Sequence, residues 1–521
     1  MSSSDRSTPV TLAAEDVDAL RAALEPWTVD AVNDALGDRA IRAFAREQIV
    51  PGLLASRALG SAPIATLTRL FMLGDAVSRA DVDDALGAFG VDRAVASGLV
   101  VAAGAGRDDA VRALVDLRPT AAAGADGETT ANWWVASDQG EVVTGARLAD
   151  DHVLGIGGAS NTLAGATMRT QVGRVLDLGT GCGIQALHAS THAREIVATD
   201  ISRRALAFAA FNRALNAPPA AWDLRLGSML EPVEGEAFDL VVSNPPFVIT
   251  PPGTPSFEYR DGHVGGDGLV GALMREVGSV LAPGGVAQHL GNWEIPRGAS
   301  WEDRVGGWLD ASEIPLDAWI IQRDMLDAAE YAETWLRDAG VTPERDPEGF
   351  RAAYEAYLAD FDARGVEAIG FGVVTLRRPA SGVPTLRRLE EHEGAVTGPL
   401  GATLASSLAV HDWVSARTDD ALLAERYLVA PDVTKETYGR ATEHEPEHIL
   451  IRQGGGLGRA VRADTALAGF VSTCDGELAA GQISAALAAL LDVPTATMAS
   501  GLTEAVRGLV IDGFLTPLGD G

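Results

Sequence analysis

Asp177-Leu178-Gly179-Thr180-Gly181-Cys182-Gly183, then Asp200, then Ser243-Asn244-Pro245-Pro246-Phe247 follow one another within Arg174 to Phe247, at the intervals of a nucleotide-binding α/β sheet. The apolar run Val175-Leu176 precedes the first segment and a helical pattern opens at Ile184-Gln185-Ala186-Leu187 after it, so the glycines occupy a strand-to-helix turn. Gly179, Gly181 and Gly183 allow a tight bend and close approach of backbone to a ligand, although such turns also serve simply to pack a helix on a strand. Asp200 ends the next strand, 23 residues after Asp177. A carboxylate there can accept both hydroxyls of a ribose, which favours a ligand containing adenosine.

The tetrapeptide at the end of the fourth strand decides which chemistry follows. The Asn244 side-chain oxygen and the Pro245 carbonyl can each accept one hydrogen of a planar NH₂ group. Pro245 and Pro246 fix the backbone so that this geometry exists before a substrate arrives, and Phe247 offers a face on which a flat amide or base can stack. A dehydrogenase has no use for such a sequence.

Around this stretch, Gln171 to Pro379 alternates strand-like runs with helical ones. The runs are Val175–Leu178, Ile196–Thr199, Asp223–Leu226, Phe238–Val242, Gly285–Leu290, Trp319–Ile321 and Ile369–Val374. That pattern predicts a largely parallel, seven-stranded Rossmann-like sheet covered by helices on both faces. Two helical segments, Leu326–Asp338 and Pro347–Arg364, exceed one crossover and read as a substrate-facing or interdomain insertion.

Both ends have a different texture. Thr11 to Ala43 and Ala65 to Leu73 carry apolar residues at helical spacing, short helices follow at Ser78–Phe89 and Asp92–Ser97, and Leu99–Val101 with Val111–Val115 reads as a two-stranded wing. The order resembles a winged helix. Its recognition segment holds Asp81, Asp83, Asp84 and Asp92 against Arg93 alone, a poor surface for a phosphate backbone, so packing or protein docking is expected there. Ala131 to Asp138 is a predicted strand that Gly140 turns into Val142-Val143, and the glycine-rich Leu154–Ser160 reads as a loop or lid. Beyond Pro379, Ala463 to Leu518 returns to short helices and a second winged-helix-like shape.

Composition limits the partners. The chain has 521 residues, 41 Lys plus Arg against 72 Asp plus Glu, and a net charge of −31. Such a field repels polyanions and anionic membrane surfaces, so a nucleic-acid contact needs a local basic patch, for which Arg260, Arg377, Arg378, Arg387 and Arg388 are candidates. Two cysteines, Cys182 and Cys474, cannot form a disulfide framework at this size, and a reducing cytoplasm fits. Met1 to Val10 lacks the order of a secretory signal and no long uncharged apolar run occurs, so no membrane is expected. His444-Glu445-Pro446-Glu447-His448 matches the letter of a zinc-protease motif, but Pro446 and the β-rich Ile449-Leu450-Ile451 oppose the helix that motif needs, and no metal is expected. Gly454–Gly458 reads as a hairpin turn.

Asp177–Gly183, Asp200 and Asn244–Phe247 together resemble the class I S-adenosylmethionine-dependent methyltransferases that carry an Asn-Pro-Pro-Tyr/Phe motif. Within them the resemblance is greatest to the HemK-type release-factor glutamine methyltransferases. Gly265-Gly266-Asp267-Gly268-Leu269 is similar to a further segment of that family with one spacer residue missing. The resemblance covers Gly173 to Pro379. It implies S-adenosyl-L-methionine as cofactor, with Asp177, Gly179, Thr180, Gly181 and Gly183 about its methionine part, Asp200 on the ribose, and Ile201 against the adenine. Ser228 and Met229 stand where the family often has an acidic residue near the adenine. Asn244 lies beside the cofactor and, with Pro245, Pro246 and Phe247, forms the catalytic loop. A second departure replaces the family's Arg-Pro-x-Thr-Glu-like segment by Gly157–Thr162.

The chain is accordingly expected to comprise an N-terminal helical, winged-helix-like domain (1–125), a β/loop lid segment (126–172), a methyltransferase domain (173–380) and a C-terminal α+β region ending in a winged-helix-like domain (381–521). The implied activity is N-methylation of a planar amide, a protein glutamine with a translation factor as possible partner. An exocyclic amine of adenine or guanine in RNA or DNA, and a non-enzymatic cofactor-binding scaffold, remain as alternatives. Oligomeric state is left open.

Overall fold

The computed structural model describes residues 12–46, 48–123, 129–145, 148–254, 260–261, 265–440 and 446–518. The chain divides into two compact units, one of residues 1–164 and 171–391, the other of 165–170 and 392–521.

The first unit is built on an eight-stranded sheet. Its strands are β1 (Val172–Leu178), β2 (Ala193–Asp200), β3 (Ala221–Leu226), β4 (Phe238–Ser243), β5 (Leu281–Pro296), β6 (Asp317–Asp327), β7 (Val366–Arg377) and β8 (Arg387–Glu391). The order across the sheet is β8-β6-β7-β5-β4-β1-β2-β3. Strands β1 to β5 pair parallel where they are neighbours, β7 runs antiparallel to both β5 and β6, and β8 lies parallel to β6. Parallel neighbours need crossovers, and helices α1 (Ile184–Ala189), α2 (Arg203–Asn216), α3 (Gly268–Glu276), α4 (Trp301–Asp310), α5 (Ala328–Asp338) and α6 (Pro347–Arg364) are spaced among these strands. The expected seven strands are thus joined by an eighth. Arg387–Glu391 is charged because it pairs on one side only, and this hid it in the sequence.

Alternation along β7 divides the core between the two faces of the sheet. Val374 and Leu376 join a cluster with Leu176, Val241, Leu273, Trp301, Val305 and Trp308, where Trp293 stacks on Trp301 at 5.5 Å between centroids. Ile369 and Phe371 face the other way, onto Tyr331, Tyr357 and Phe361 of α5 and α6. At Gly370 a Cβ would come within 2.3 Å of Trp293 Nε1, so the glycine makes room for that ring.

In the part ahead of this sheet, helices Ala14–Leu24, Val29–Phe44 and Val50–Ala58 come before a three-stranded sheet in which Ala110–Ala113 lies between Val77–Ser78 and Val100–Ala102, and helices Arg79–Leu86 and Gly90–Ala96 connect those two outer strands. The two strands expected here are thus joined by a third, of two residues. A hairpin of Asp116–Ala123 with Thr129–Ser137 follows. Its first strand carries Pro119, which the edge of a two-stranded ribbon tolerates. Val142-Val143, expected as a strand, lies in the short helix Glu141–Thr144.

In the second unit, Arg426–Val429 is the middle strand between Asp475–Ala479 and Leu515–Pro517, and Val433–Tyr438, His448–Gln453 and Ala460–Ala463 form a meander. Helices Leu400–Ser415, Thr465–Thr473, Ala480–Leu490 and Thr495–Ile511 enclose Phe470, Ile483, Leu502 and Phe514. Gly454–Gly458 joins two antiparallel strands as a hairpin turn. His448 opens a strand, while His444 and Glu445 lie outside the described residues. Among the described residues no His, Cys, Asp and Glu group could hold a metal ion, and no helix is long and apolar enough to cross a membrane.

Candidate active site

The parallel register brings the singled-out segments to one edge. Leu178 pairs with Thr199 on one side and Ser243 on the other, and Asp200 pairs with Leu226. Gly179, Asp200, Gly227 and Asn244 therefore leave or end their strands at the same level, the carboxyl edge at which open α/β sheets bind ligands.

The glycine turn is fixed from below. The Gly179 and Thr180 amides donate to the Thr199 carbonyl at 2.9 and 2.8 Å, and Gly183 donates to Thr180 O at 2.8 Å. All three glycines have positive φ (+73°, +55° and +86°). A Cβ at Gly179 or Gly181 would meet nothing within 4 Å, so conformation demands these residues and leaves open space above the turn.

Asp177 holds this turn from within. Only 1% exposed, its Oδ2 accepts from Thr180 Oγ1 at 2.6 Å and from the Ala186 amide in the first turn of α1 at 3.0 Å. Burial pushes its carboxyl up to about 7 although both hydrogen bonds act in the opposite direction. Asp200 Oδ2 accepts from Gly181 N at 2.9 Å and Oδ1 from Ser202 N at 2.8 Å. Burial raises its carboxyl too. Each oxygen retains a second acceptor site, enough for two hydroxyls. The next residue, Ile201, is 60% exposed, an apolar surface set against the carboxylate. Ser228 is exposed and Met229 half-buried with φ +47°, an unusual backbone for a residue with a side chain.

At the end of β4, Ser243 Oγ donates to Leu178 O at 2.8 Å. Asn244 Oδ1 is buried and accepts no hydrogen bond. Pro245 is buried, Pro246 half-buried, and Phe247 packs against the tryptophan-rich core. Asp267 of the glycine-containing segment is 2% exposed and ties α3 to β5 and α4, accepting from Glu294 N at 2.8 Å and Arg304 Nε at 3.0 Å. Beside it Glu294 pairs with Arg364, while burial pushes its carboxyl up to about 6.

The five arginines that could form a basic patch are engaged within the protein. Arg260 is buried against Asp261 and Asp338, Arg377 pairs with Asp317, Arg378 donates to Leu281 O, and Arg387 and Arg388 pair with Asp310 and Glu390.

Residues 155–254, which contain all three motifs, match the family model described as "Methyltransferase small domain". Strands β1 to β4 lie within this match, and this part of the chain is similar to methyltransferase small domains. Residues 25–114 match a second model, described as "Domain of unknown function (DUF7059)". The matched region is similar to glutamine methyltransferases. A ribosomal protein uL3 glutamine methyltransferase of Bradyrhizobium diazoefficiens is 30% identical over 34% of this chain and 59% of its own length. Release factor glutamine methyltransferases of Deinococcus radiodurans and Xylella fastidiosa are 37% and 38% identical, over 27% and 26% of this chain and 53% and 45% of their own lengths. The chain thus spans about half the length of the curated relatives it matches.

S-adenosylmethionine, the methyl donor of such domains, fits the residues present. The open positive-φ turn leaves room for its amino-acid part, Asp200 has acceptor capacity for the ribose diol, and Ile201 offers apolar cover for a base.

Two further features of the methyltransferase domain escaped sequence reading. Asn212 of α2, fully buried, accepts from Ala136 N at 2.8 Å and donates to Ala136 O at 2.9 Å and Cys182 O at 2.8 Å. One turn on, Asn216 treats Trp134 likewise, at 2.9 and 2.8 Å. The two asparagines dock the hairpin strand Thr129–Ser137 on the helix that follows Asp200. The only sequence signal is a pair of poor helix formers four residues apart in an apolar helix. The other is a correction: Gly158 to Ser160, expected within a loop or lid, instead begin the helix Gly158–Ala166, whose Ser160 carbonyl accepts from Gln185 Nε2 at 2.8 Å.

Proposed function

We propose that this chain is an S-adenosylmethionine-dependent N-methyltransferase that methylates a planar amide nitrogen, the side chain of a protein glutamine. The observation that carries the reading is Asn244 Oδ1, a buried acceptor without a donor at the exit of β4. Leaving such a group unpaired costs about 1–3 kcal/mol, and an incoming N–H removes that cost.

Bound S-adenosylmethionine supplies an electrophilic methyl group on a sulfonium centre. Asp177, Gly179, Thr180, Gly181, Gly183, Asp200, Ile201, Ser228, Met229 and Asn244 hold it in this reading. Asn244 Oδ1 and the Pro245 carbonyl accept the two hydrogens of the substrate NH₂ in its own plane, which leaves the nitrogen lone pair directed out of that plane. Phe247 supports the flat group. No basic side chain is required, because a nitrogen that has gained a fourth bond loses its proton readily. Orientation provides most of the acceleration.

A protein acceptor is supported by the glutamine methyltransferases this domain matches, by the net charge of −31, and by the engaged arginines. We further read the two ends as winged-helix-like domains at 1–125 and within 381–521, flanking a lid segment at 126–172 and the methyltransferase domain at 173–380, in a cytoplasmic protein. Support comes from the three-stranded sheet beside Arg79–Leu86 and Gly90–Ala96 and from the sheet around Arg426–Val429.

The test is incubation with methyl-labelled cofactor and, separately, purified bacterial uL3, a release factor and total RNA. Protease-sensitive label in uL3 or the release factor is expected. Nuclease-sensitive label in RNA would move the acceptor to an exocyclic base amine, and cofactor binding without transfer to any of the three would favour a scaffold.

A further inference from the structure

The acceptor loop is held at its far end by one face of a helix that neither family model covers. Residues 244–247 leave the sheet, and Pro245 and Pro246 have no N–H to anchor them. Behind the loop, the Val248 amide donates to Arg260 O at 2.9 Å and the Ile249 amide to Tyr331 Oη at 2.8 Å. Arg260 is itself tied down, since its Nη1 donates to Trp335 O at 3.1 Å and Asp338 Oδ2 at 3.0 Å. Tyr331, Trp335 and Asp338 are four and three residues apart, one face of α5. The Tyr331 ring is fully buried, stacked on Phe371 at 5.9 Å and edge-on to Phe361 at 5.5 Å. Asn292 Nδ2, from the part of β5 beyond its pairing with β4, donates to the same hydroxyl at 3.3 Å.

We propose that Tyr331 is a positioning residue for methyl transfer: its hydroxyl, fixed by the ring cluster and Asn292, sets the path of the loop through Ile249 and thereby the direction of Asn244. This rests on the reading of Asn244 as the acceptor-binding residue. The α5–α6 insertion then acts as a clamp on the chemistry. The hydrogen bonds of the clamp run to Ile249 and Arg260, at the far end of the acceptor loop from the glycine turn and Asp200.

Tyr331→Phe keeps the ring and removes the oxygen. The expected result is a fall in kcat of about tenfold or more for labelled-methyl transfer to uL3 or a release factor, with the cofactor Kd changed less than about twofold. Peptides spanning 244–250 are expected to exchange amide hydrogen faster, with or without an acceptor present. Phe350→Leu is the control, because it loosens the same cluster from its α6 side, where the Phe350 ring meets Tyr354 at 5.7 Å; it lowers Tm but leaves kcat near wild type. Asn292→Ala gives a smaller loss of kcat in the same direction and serves should Tyr331→Phe fail to fold.

Wild-type kcat and wild-type exchange in Tyr331→Phe overturn the proposal, as does an equal loss of kcat in Phe350→Leu. If the wild-type chain methylates neither protein, the exchange comparison decides alone. Asn244→Ala separates the two levels: retained turnover there overturns the acceptor reading itself, whereas an inactive Asn244→Ala beside a fully active Tyr331→Phe overturns only the clamp.

Discussion

Asn212 and Cys182 meet across the back of the glycine turn: the Asn212 amide donates to the Cys182 carbonyl at 2.8 Å while its remaining hydrogen-bonding groups grip Ala136. One side chain thus joins the hairpin ahead of the sheet, the helix after Asp200 and the turn above which the cofactor would lie. Asn212→Ala leaves several buried backbone groups without partners. It should cost about 2–4 kcal/mol in urea unfolding and weaken cofactor binding measured on the folded fraction.

Asn244→Ala removes the unpaired acceptor and little packing. Turnover should fall by about 100-fold or more, while calorimetry finds a far smaller rise in cofactor Kd, about fivefold or less, because the other residues about the cofactor remain. A variant with unchanged turnover would refute the role of the loop.

Asp200→Ala acts on the opposite side. It releases the Gly181 and Ser202 amides as well as the proposed ribose contacts. The cofactor Kd should rise by about 10- to 100-fold, since hydrogen bonds to a charged group are worth about 1.5–3 kcal/mol each. An unaltered Kd in calorimetry contradicts the assignment.

Asp177 should make stability depend on pH. Its carboxyl is pushed up to about 7 in the folded chain, against about 3.9 when unfolded. A raised acid binds its proton more tightly when folded, so this group's contribution is greatest below pH 4 and is lost as pH rises towards 7, at up to about 1.4 kcal/mol per unit. Asp177→Asn retains an acceptor for Thr180 and Ala186 but cannot ionise. Its melting temperature relative to wild type should therefore climb between pH 5 and pH 7, and a constant difference would show that Asp177 does not titrate in that range.

The motif segments and most strands were legible because their signals are local. Val175–Leu178 and Phe238–Val242 are apolar runs ended by turn residues, and the parallel register places their ends together without further information. What stayed hidden acts over distance or at an edge. Asn212 reaches a strand 76 residues away and Tyr331 a loop 82 residues away, and neither residue type announces such a partner. Arg387–Glu391 looks like a charged linker because one of its edges has no neighbour in the sheet. The strand Asp116–Ala123 was obscured by Pro119, and Val142-Val143 was misread because two β-branched residues after a glycine fit a strand as well as a short helix.

The paired asparagines grip Trp134 and Ala136 by their amide and carbonyl groups alone. Every residue except proline carries both groups. These four hydrogen bonds are therefore indifferent to which side chains stand at 134 and 136, and they survive any exchange there except one to proline.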